Sequence, residues 1–251
     1  MKTHHLAPLV FALVLATGPA IADTALIAVA TNFAPVATAL APGFSAATGH
    51  QIEVTSGATG KLYAQITEAA PFDVLLSADT STPTRLGAEG LADPGSQFTY
   101  AVGQLALWSA DPALIGPDGP AALQSDSLRF VAIANPDLAP YGVAAREVLQ
   151  HLGLWDALQP KIVMGQNIGQ TFALVDSGAA DLGFVALSAL TGTDVGGGQW
   201  IVPTQMHAPL QQDAILLNHG ADNPAALAFL DFLKTPQAKA LIAASGYAVA
   251  P

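Results

Sequence analysis

Short apolar runs recur along the chain, and a helical pattern follows most of them. Nine runs predict β-strands, at residues 25–30, 51–55, 72–77, 104–109, 129–134, 161–164, 181–186, 199–202 and 213–218. Most of them are apolar on both faces, which is typical of buried parallel strands. Between them apolar residues recur at helical spacing, as in residues 33–47, where Phe33, Leu40 and Phe44 share one face. The alternation predicts an α/β fold with mainly parallel sheets.

Nine strands are more than one sheet of a small domain usually holds, so the pattern favours two lobes. No flexible linker separates them, and we therefore expect the chain to cross between lobes in two strands, within residues 100–109 and 212–218. This predicts a discontinuous first lobe of residues 23–103 plus 214–251, and a second lobe of residues 104–213. Because ligands of open α/β sheets bind beyond the carboxyl ends of the strands, this arrangement places the ligand in the cleft between the lobes.

Four of the apolar runs end at small hydroxyl, glycine or amide residues, and a helical pattern starts directly after each. These junctions lie at residues 31–32, 56–60, 141–142 and 167–170. Each aims unpaired backbone N–H groups and the positive end of a helix dipole beyond the strand, where ligands of open α/β sheets bind. Because no catalytic-looking residue lies among them, the four junctions indicate a site for a small anion.

The first 22 residues have the pattern of a secretory signal peptide. Lys2 precedes an apolar stretch at residues 6–15, which is too short to span a bilayer, and residues 20–22 form a small-x-small cleavage site. The alternative, a buried N-terminal helix, is disfavoured by the Gly-Pro pair at residues 18–19. The sequence contains no cysteine and so has no cysteine to carry a lipid anchor. We expect an exported protein of a Gram-negative periplasm.

Composition argues against two classes of partner. The formal net charge is −11, and removal of the signal peptide takes away one positive charge and leaves −12. A nucleic-acid partner is disfavoured, because phosphate neutralisation needs clustered Lys and Arg. A membrane partner is also disfavoured, because the mature sequence has no basic amphipathic stretch that would adsorb to a membrane and no apolar run near the ~20 residues of a membrane span.

No motif for catalysis or metal binding is found in the sequence. Four histidines of the mature chain lack cysteine partners and metal-ligand spacing, and we interpret them as surface or loop residues: His50, His151, His207 and His219. Asp73 and Asp79 flank a predicted strand, and we interpret both as turn caps, because neither has a second carboxylate at catalytic spacing.

Two alternatives stay open at this point. An exported enzyme on the same two-lobed fold would need a general base, for which Asp73 and Asp79 are the candidates. A binding protein for another ligand would need an arginine clamp for an organic acid, with Arg146 the residue to inspect, or a tyrosine cluster for ferric ion. The tyrosines are scattered along the sequence, at Tyr63, Tyr100, Tyr141 and Tyr247.

Three segments of the first lobe resemble a known family. Residues 30–33, 56–66 and 71–79 are similar to segments of the periplasmic molybdate-binding proteins of molybdate ABC transporters. Residues 135–142 and 165–171 fall where that family places the contacts of its second lobe. The resemblance covers essentially the whole mature chain, and its most specific part is residues 56–79.

The resemblance implies a two-lobed periplasmic-binding-protein fold with the ligand in the cleft between the lobes and two crossover strands. It implies a substrate-binding protein that closes on molybdate or tungstate and delivers the anion to an inner-membrane ABC permease. It implies neither an enzymatic activity, a cofactor nor a metal cation, and we expect a monomer. The ligand contacts it implies are Thr31, Asn32, Thr59, Tyr141 and the backbone amide of Ile168. Many members have serine in place of the two threonines, so the hydroxyls are kept and two added methyl groups narrow the site.

A second departure from the family concerns a tyrosine. Some members have a tyrosine after the strand at residues 182–185, where this chain has Ala186. We expect Tyr141 to supply the missing phenol from the other side of the cleft. If Tyr141 pointed away from the cleft, the site would be one donor short.

A site made only of neutral hydrogen-bond donors is also expected to discriminate between oxyanions. Phosphate near pH 7 keeps a proton that needs an acceptor, and leaving one group unpaired in a dry site costs ~1–3 kcal/mol. Sulfate has no such proton, so only the size of the site can reject it. Molybdate and tungstate are nearly the same size, so the sequence does not separate them.

Overall fold

The computed structural model describes residues 22–116, 118–192 and 195–249. The predicted signal peptide, except for its last residue, lies outside the described residues. Ten strands lie within the described part of the chain: β1 (Thr24–Ala30), β2 (Gln51–Gly57), β3 (Val74–Leu76), β4 (Phe98–Gly103), β5 (Leu105–Ser109), β6 (Val131–Ala134), β7 (Ile162–Gly165), β8 (Leu182–Ala186), β9 (Gly198–Ile201) and β10 (Leu210–Leu216). Each of the nine predicted strands overlaps one of these.

Helices connect most of the strands. The described α-helices are α1 (Ala34–Thr48), α2 (Thr59–Thr67), α3 (Ser81–Ala88), α4 (Pro140–His151), α5 (Trp155–Leu158), α6 (Ile168–Asp176), α7 (Pro224–Leu233) and α8 (Pro236–Ala244). Proline occupies the first position of α4, α7 and α8, where its missing N–H costs nothing. The predicted strand–helix alternation is confirmed.

The strands form two separate five-stranded sheets, in the orders β2-β1-β3-β10-β4 and β7-β6-β8-β5-β9. We call each sheet with its helices a lobe. In the first sheet β1 is parallel to β2 and β3, while β10 is antiparallel to β3 and β4. In the second sheet β6 is parallel to β7 and β8, while β5 is antiparallel to β8 and β9. The expectation of mainly parallel sheets is wrong, because the strands next to the crossings run against their neighbours.

The chain leaves the first sheet between β4 and β5, which follow each other with only Gln104 between them. The crossing at 100–109 is therefore two strands, one in each sheet, and not one continuous strand. On return, β10 already pairs with β4 from Leu210, four residues before the predicted start of the returning segment at residue 214. The ladder with β4 explains the earlier start.

Apolar side chains cover both faces of each sheet. In the first lobe α1, α7 and α8 bury Phe44, Phe229 and Ile242 against one face, and α2 and α3 bury Leu62 and Leu86 against the other. In the second lobe Val148 of α4 and Val175 of α6 lie in the cores of opposite faces. With both faces covered, the open positions are the carboxyl ends of the strands, where the lobes meet.

Candidate functional site

A small cavity lies between the lobes, at the carboxyl ends of β1, β2, β6 and β7. It encloses about 200 Å³ of empty space, its opening included. The twelve described residues that line it are all uncharged: Ala30, Thr31, Asn32, Gly57, Ala58, Thr59, Ala78, Ala139, Pro140, Tyr141, Asn167 and Ile168. The structure thus brings all five predicted contact residues to one cavity.

Four helices begin at this cavity, two from each lobe. In the first lobe β1 ends at Ala30 and turns into α1, and β2 ends at Gly57 and passes through the extended Ala58 into α2. In the second lobe α4 follows the extended Ala139, and α6 follows Asn167, whose side chain accepts the N–H of Gln170 at 2.9 Å. The positive ends of four helix dipoles therefore face one uncharged space.

Backbone N–H groups in these first turns have no acceptor among the described residues. They belong to Asn32, Ala58, Thr59, Tyr141 and Ile168. First-turn N–H groups lack a partner inside their own helix, and an anion beyond the helix supplies one. The cavity can therefore accept negative charge without a cationic side chain.

Thr31 contributes an unpaired hydroxyl. Its backbone N–H donates to the carbonyl of Gly57 at 3.0 Å, which ties the end of β1 to β2. Its Oγ1 is buried and has no hydrogen-bond partner among the described residues. Leaving a buried polar group unpaired costs ~1–3 kcal/mol, and a bound group that accepts a hydrogen bond from this hydroxyl would remove that cost.

Thr59 keeps a free hydroxyl hydrogen. Its side chain is buried at the start of α2, and its Oγ1 accepts the backbone N–H of Ala78 at 3.2 Å. Because that bond uses a lone pair of the oxygen, the hydroxyl hydrogen stays available to a ligand. The same bond fixes the oxygen at the edge of the cavity.

Asn32 lines the cavity, but its side-chain amide is already occupied. The Nδ2 group donates to Oε1 of Gln212 at 2.8 Å and to Oη of Tyr247 at 3.0 Å. Its backbone N–H is the group of this residue that remains free to donate. Asn32 thus joins the cavity to a polar cluster behind it.

Tyr141 is the second residue of α4 and is 2% exposed. Its Oη accepts a hydrogen bond from Nε2 of Gln212 at 3.2 Å, and its own hydrogen has no acceptor among the described residues. Burial raises the pKa of Tyr141 well above its usual value, so the phenol stays protonated. Ala186, the position at which some family members have a tyrosine, is the last residue of β8 in the second lobe and is buried.

The residues that sequence reasoning missed lie behind the cavity, in the cluster that holds Asn32 and Tyr141. They are Gln212 of β10, Ser188 and Tyr247, and all three make side-chain hydrogen bonds there. Burial raises the pKa of Tyr247 to about 12. No local signal in the sequence marked Gln212, because it lies within a polar stretch, residues 211–213, at the start of β10.

The carboxylates considered as general bases are engaged elsewhere. Asp73 is 3% exposed and accepts the N–H of Leu26 at 2.7 Å, while its other oxygen pairs with His219 at 2.7 Å. Asp79 accepts the N–H and the hydroxyl of Thr82 in the first turn of α3. Neither lines the cavity, and the interpretation of Asp79 as a cap is confirmed.

Arg146 does not line the cavity and makes no polar contact with another described residue. Among the described residues no group of three or more His, Cys, Asp or Glu side chains could hold a metal ion. No described helix is long and apolar enough to cross a membrane.

The two lobes touch each other beside the cavity. The N–H of Gly60 at the start of α2 donates to the carbonyl of Leu138 in the second lobe at 2.9 Å. On the other side, the hydroxyl of Ser188 lies 3.4 Å from the carbonyl oxygen of Asn32. The lobes are closed around the cavity.

Comparison with known proteins finds a matching family and similar sequences. The family model for bacterial extracellular solute-binding proteins matches residues 25–248. The chain is 49% identical over 229 residues to the molybdate-binding protein ModA of Rhodobacter capsulatus, which covers 91% of this chain and 90% of that protein. It is 46% identical over 223 residues to the molybdate-binding protein ModA of Azotobacter vinelandii, with 88% of each chain covered.

The fold is also similar to a solved structure. The periplasmic molybdate-binding protein of Azotobacter vinelandii superposes with a TM-score of 0.86 at 41% identity, over 90% of this chain and 100% of that one. More distant structures share the fold, among them a sulfate-binding protein of Mycobacterium tuberculosis with a TM-score of 0.71 at 18% identity.

Proposed function

The chain belongs to the bacterial extracellular solute-binding proteins and, within them, to the periplasmic molybdate-binding proteins of ABC transporters; on this premise we propose how it binds its ligand. Molybdate or tungstate occupies the cavity between the lobes and is held by neutral donors alone. The anion is released to an inner-membrane permease of the ABC type.

The observation that carries the proposal is the buried, unpaired hydroxyl of Thr31 in a cavity without charged residues. A tetrahedral oxyanion presents four acceptor oxygens and no hydrogen. The free donors around the cavity match it: the hydroxyl hydrogens of Thr31, Thr59 and Tyr141 and the backbone N–H groups of the first turns.

The energies suffice without a cation. A hydrogen bond to a charged partner contributes roughly 1.5–3 kcal/mol, and each helix N-terminus adds ~0.3–2 kcal/mol. Five or more convergent donors offset the dehydration of the dianion and the closure of the lobes. Donors without acceptors also disfavour phosphate, whose proton would stay unpaired.

Several features of this function are proposals that follow from the family. The protein works in the periplasm, to which the pattern of residues 1–22 would direct it, and it acts as a monomer. We expect neither a cofactor nor a catalysed reaction; the candidate bases Asp73 and Asp79 do not line the cavity.

Thermal denaturation of the mature protein with a panel of ligands tests the proposal. Molybdate and tungstate at a hundred times Kd should stabilise the protein by ~2.7 kcal/mol, which corresponds to roughly 5–11 °C for a chain of this size. Phosphate, amino acids and ferric ion should leave the Tm unchanged. A shift with phosphate as large as that with molybdate would contradict the proposal.

A further inference from the structure

A continuous line of buried hydrogen bonds runs behind the cavity. The hydroxyl of Tyr247 donates to the backbone carbonyl of Asn32 at 2.8 Å, and its oxygen accepts Nδ2 of Asn32 at 3.0 Å. The same Nδ2 group donates to Oε1 of Gln212 at 2.8 Å, and Nε2 of Gln212 donates to Oη of Tyr141 at 3.2 Å. Gln212 is 0% exposed, so water cannot replace any of its partners.

The direction of this line is set at one end. The carbonyl of Asn32 can only accept and lies 2.8 Å from Oη of Tyr247, so we assign the single hydrogen of Tyr247 to that carbonyl. The oxygen of Tyr247 then accepts, both from Asn32 and from the hydroxyl of Ser188 at 3.0 Å. The atom of Asn32 that faces Tyr247 must then be the amide nitrogen. Gln212 in turn must present its oxygen to that nitrogen, and its own NH2 group is left to face Tyr141.

The consequence falls on the hydroxyl of Tyr141. Its oxygen already accepts Nε2 of Gln212, so its hydrogen does not turn toward this side chain. No described residue accepts that hydrogen, and Tyr141 lines the cavity. The hydroxyl of Tyr100 lies 3.1 Å from Oε1 of Gln212 and 3.0 Å from the carbonyl oxygen of Ser77, so its single hydrogen has two acceptors within reach.

We propose that Gln212 is a positioning residue that holds the hydroxyl of Tyr141 as a donor toward the bound oxyanion. The inference rests on the proposed function. Gln212 does not touch the ligand; it acts through Tyr141, and the carbonyl of Asn32 sets the polarity of the whole line. A strand that joins the two lobes thereby controls a donor in the binding site.

A double-mutant cycle with Gln212→Met and Tyr141→Phe tests this, with molybdate titrated calorimetrically into each variant. Methionine keeps the size of the side chain and removes its amide. Gln212→Met should weaken molybdate binding roughly tenfold, the low end for a lost hydrogen bond to a charged acceptor. In the Tyr141→Phe background the same substitution should change Kd less than about twofold, since no phenol is left to position.

A spectroscopic readout separates positioning from a general loss of structure. A tyrosine that donates to an anion shows a red-shifted difference absorption, so saturating molybdate should produce such a band in the wild type. The band should vanish in Tyr141→Phe and be weakened in Gln212→Met even at saturation. Gln211→Met, at the exposed neighbouring position, is the matched control and should behave as the wild type.

The outcomes distinguish a failure of the proposed function from a failure of the positioning role of Gln212. If the wild type does not bind molybdate, the proposed function fails. If the wild type binds, an unchanged affinity of Gln212→Met, or an equal loss with and without the phenol at position 141, would overturn the positioning role alone.

A second variant covers the case in which Gln212→Met does not fold. Tyr247→Phe removes the hydrogen that sets the direction of the line and leaves Gln212 in place. It should weaken molybdate binding in the wild-type background and have no effect in the Tyr141→Phe background. Additive losses would overturn the proposal.

Discussion

At the scale of single residues, the site depends on which hydroxyl hydrogens are left without an acceptor. Thr31, Thr59 and Tyr141 line the cavity, and the surrounding bonds either leave the hydroxyl oxygen unpaired or use only its lone pairs. The hydrogens stay free for a ligand. A binding site for a dianion can thus be made from neutral side chains whose second partners fix the direction of donation.

Thr31→Val tests the unpaired hydroxyl with a side chain of the same shape. Without ligand the variant should be as stable as the wild type or more stable, because it removes a buried polar group that has no partner. Molybdate binding should weaken by roughly 1.5–3 kcal/mol, measured by calorimetric titration. A loss of unliganded stability without a loss of affinity would assign Thr31 a purely structural role.

Thr59→Ala should weaken oxyanion binding by roughly 1.5–3 kcal/mol, because it removes one donor to a charged acceptor. Thr59→Ser, which keeps the hydroxyl and its bond with Ala78, should bind nearly as the wild type does. Thr55→Ala in β2, away from the cavity lining, should change affinity little. Equal losses at positions 55 and 59 would mean that the hydroxyl of Thr59 serves only the fold.

Residue types along the sequence were enough to predict five positions that the structure brings to one cavity, but not how each donates. Asn32 uses its side-chain amide behind the cavity and keeps its backbone N–H for it. The roles of Gln212 and Tyr247 could not be predicted, because both residues bond to Asn32, which lies 180 and 215 positions away from them in the sequence. Only the folded chain shows such long-range polar contacts.

At the scale of elements, the four strand-to-helix junctions carry the electrostatics of the site. Two helices from each lobe point their N-termini at a cavity without charged lining residues. In the proposed function, backbone dipoles counter the charge of the ligand, which suits a chain of net charge −11 with few basic residues.

Asn167→Ala tests one of these N-termini. Loss of its bond to the N–H of Gln170 should destabilise the protein by roughly 0.5–2 kcal/mol and should also weaken molybdate binding, because α6 begins at the cavity. Thr235→Ala removes the equivalent cap of α8, which packs in the first lobe. It should cost similar stability in denaturation and leave affinity unchanged. A matching affinity loss in both variants would argue against a role for the N-terminus of α6.

The elements themselves were largely predictable from periodicity. All nine predicted strands exist, because runs apolar on both faces have few alternatives to a covered sheet. β4 was not predicted as a strand of its own, because its residues 100–103 fell within one expected crossing strand at 100–109. Its first residues, Phe98 and Thr99, are only half-buried and gave no apolar run. Strand direction was also mispredicted, because it depends on the lobe from which the chain arrives and not on local pattern.

At the scale of the whole molecule, the lobes meet through backbone contacts that leave no room for larger side chains. A Cβ added at Gly169 would lie 2.7 Å from Cγ2 of Thr31, across the cleft, and one at Gly60 would lie 3.2 Å from the carbonyl oxygen of Leu138. Thr31 thus lies both at the contact between the lobes and in the lining of the cavity.

Gly169→Ala should hold the lobes apart and weaken molybdate binding roughly tenfold or more, with little change in the stability of the unliganded protein. Small-angle scattering should show compaction of the wild type on addition of molybdate and less compaction of the variant. Gly116→Ala is the control: an added Cβ there meets open space, so affinity and compaction should both stay unchanged. Gly178→Ala would not serve, because its positive φ strains any other residue. Wild-type affinity in Gly169→Ala would show that the close approach is not needed for binding.

The two-lobed architecture was predicted from the number of strands, whereas the bounds of the strands at the crossings were not. Each crossing strand belongs to one sheet only, and β10 begins earlier than its apolar run because its first residues pair with β4. Strand pairing between distant segments decided these bounds, and it leaves no local mark in the sequence.

The central claim is that a cavity with only neutral donors selects a fully deprotonated oxyanion. Calorimetric titration of the mature wild-type protein with molybdate and, separately, with phosphate near pH 7 tests it most directly. We predict saturable binding of one molybdate per chain and no measurable binding of phosphate. Phosphate binding with an affinity similar to that of molybdate, or the absence of saturable molybdate binding at two temperatures, would contradict the account.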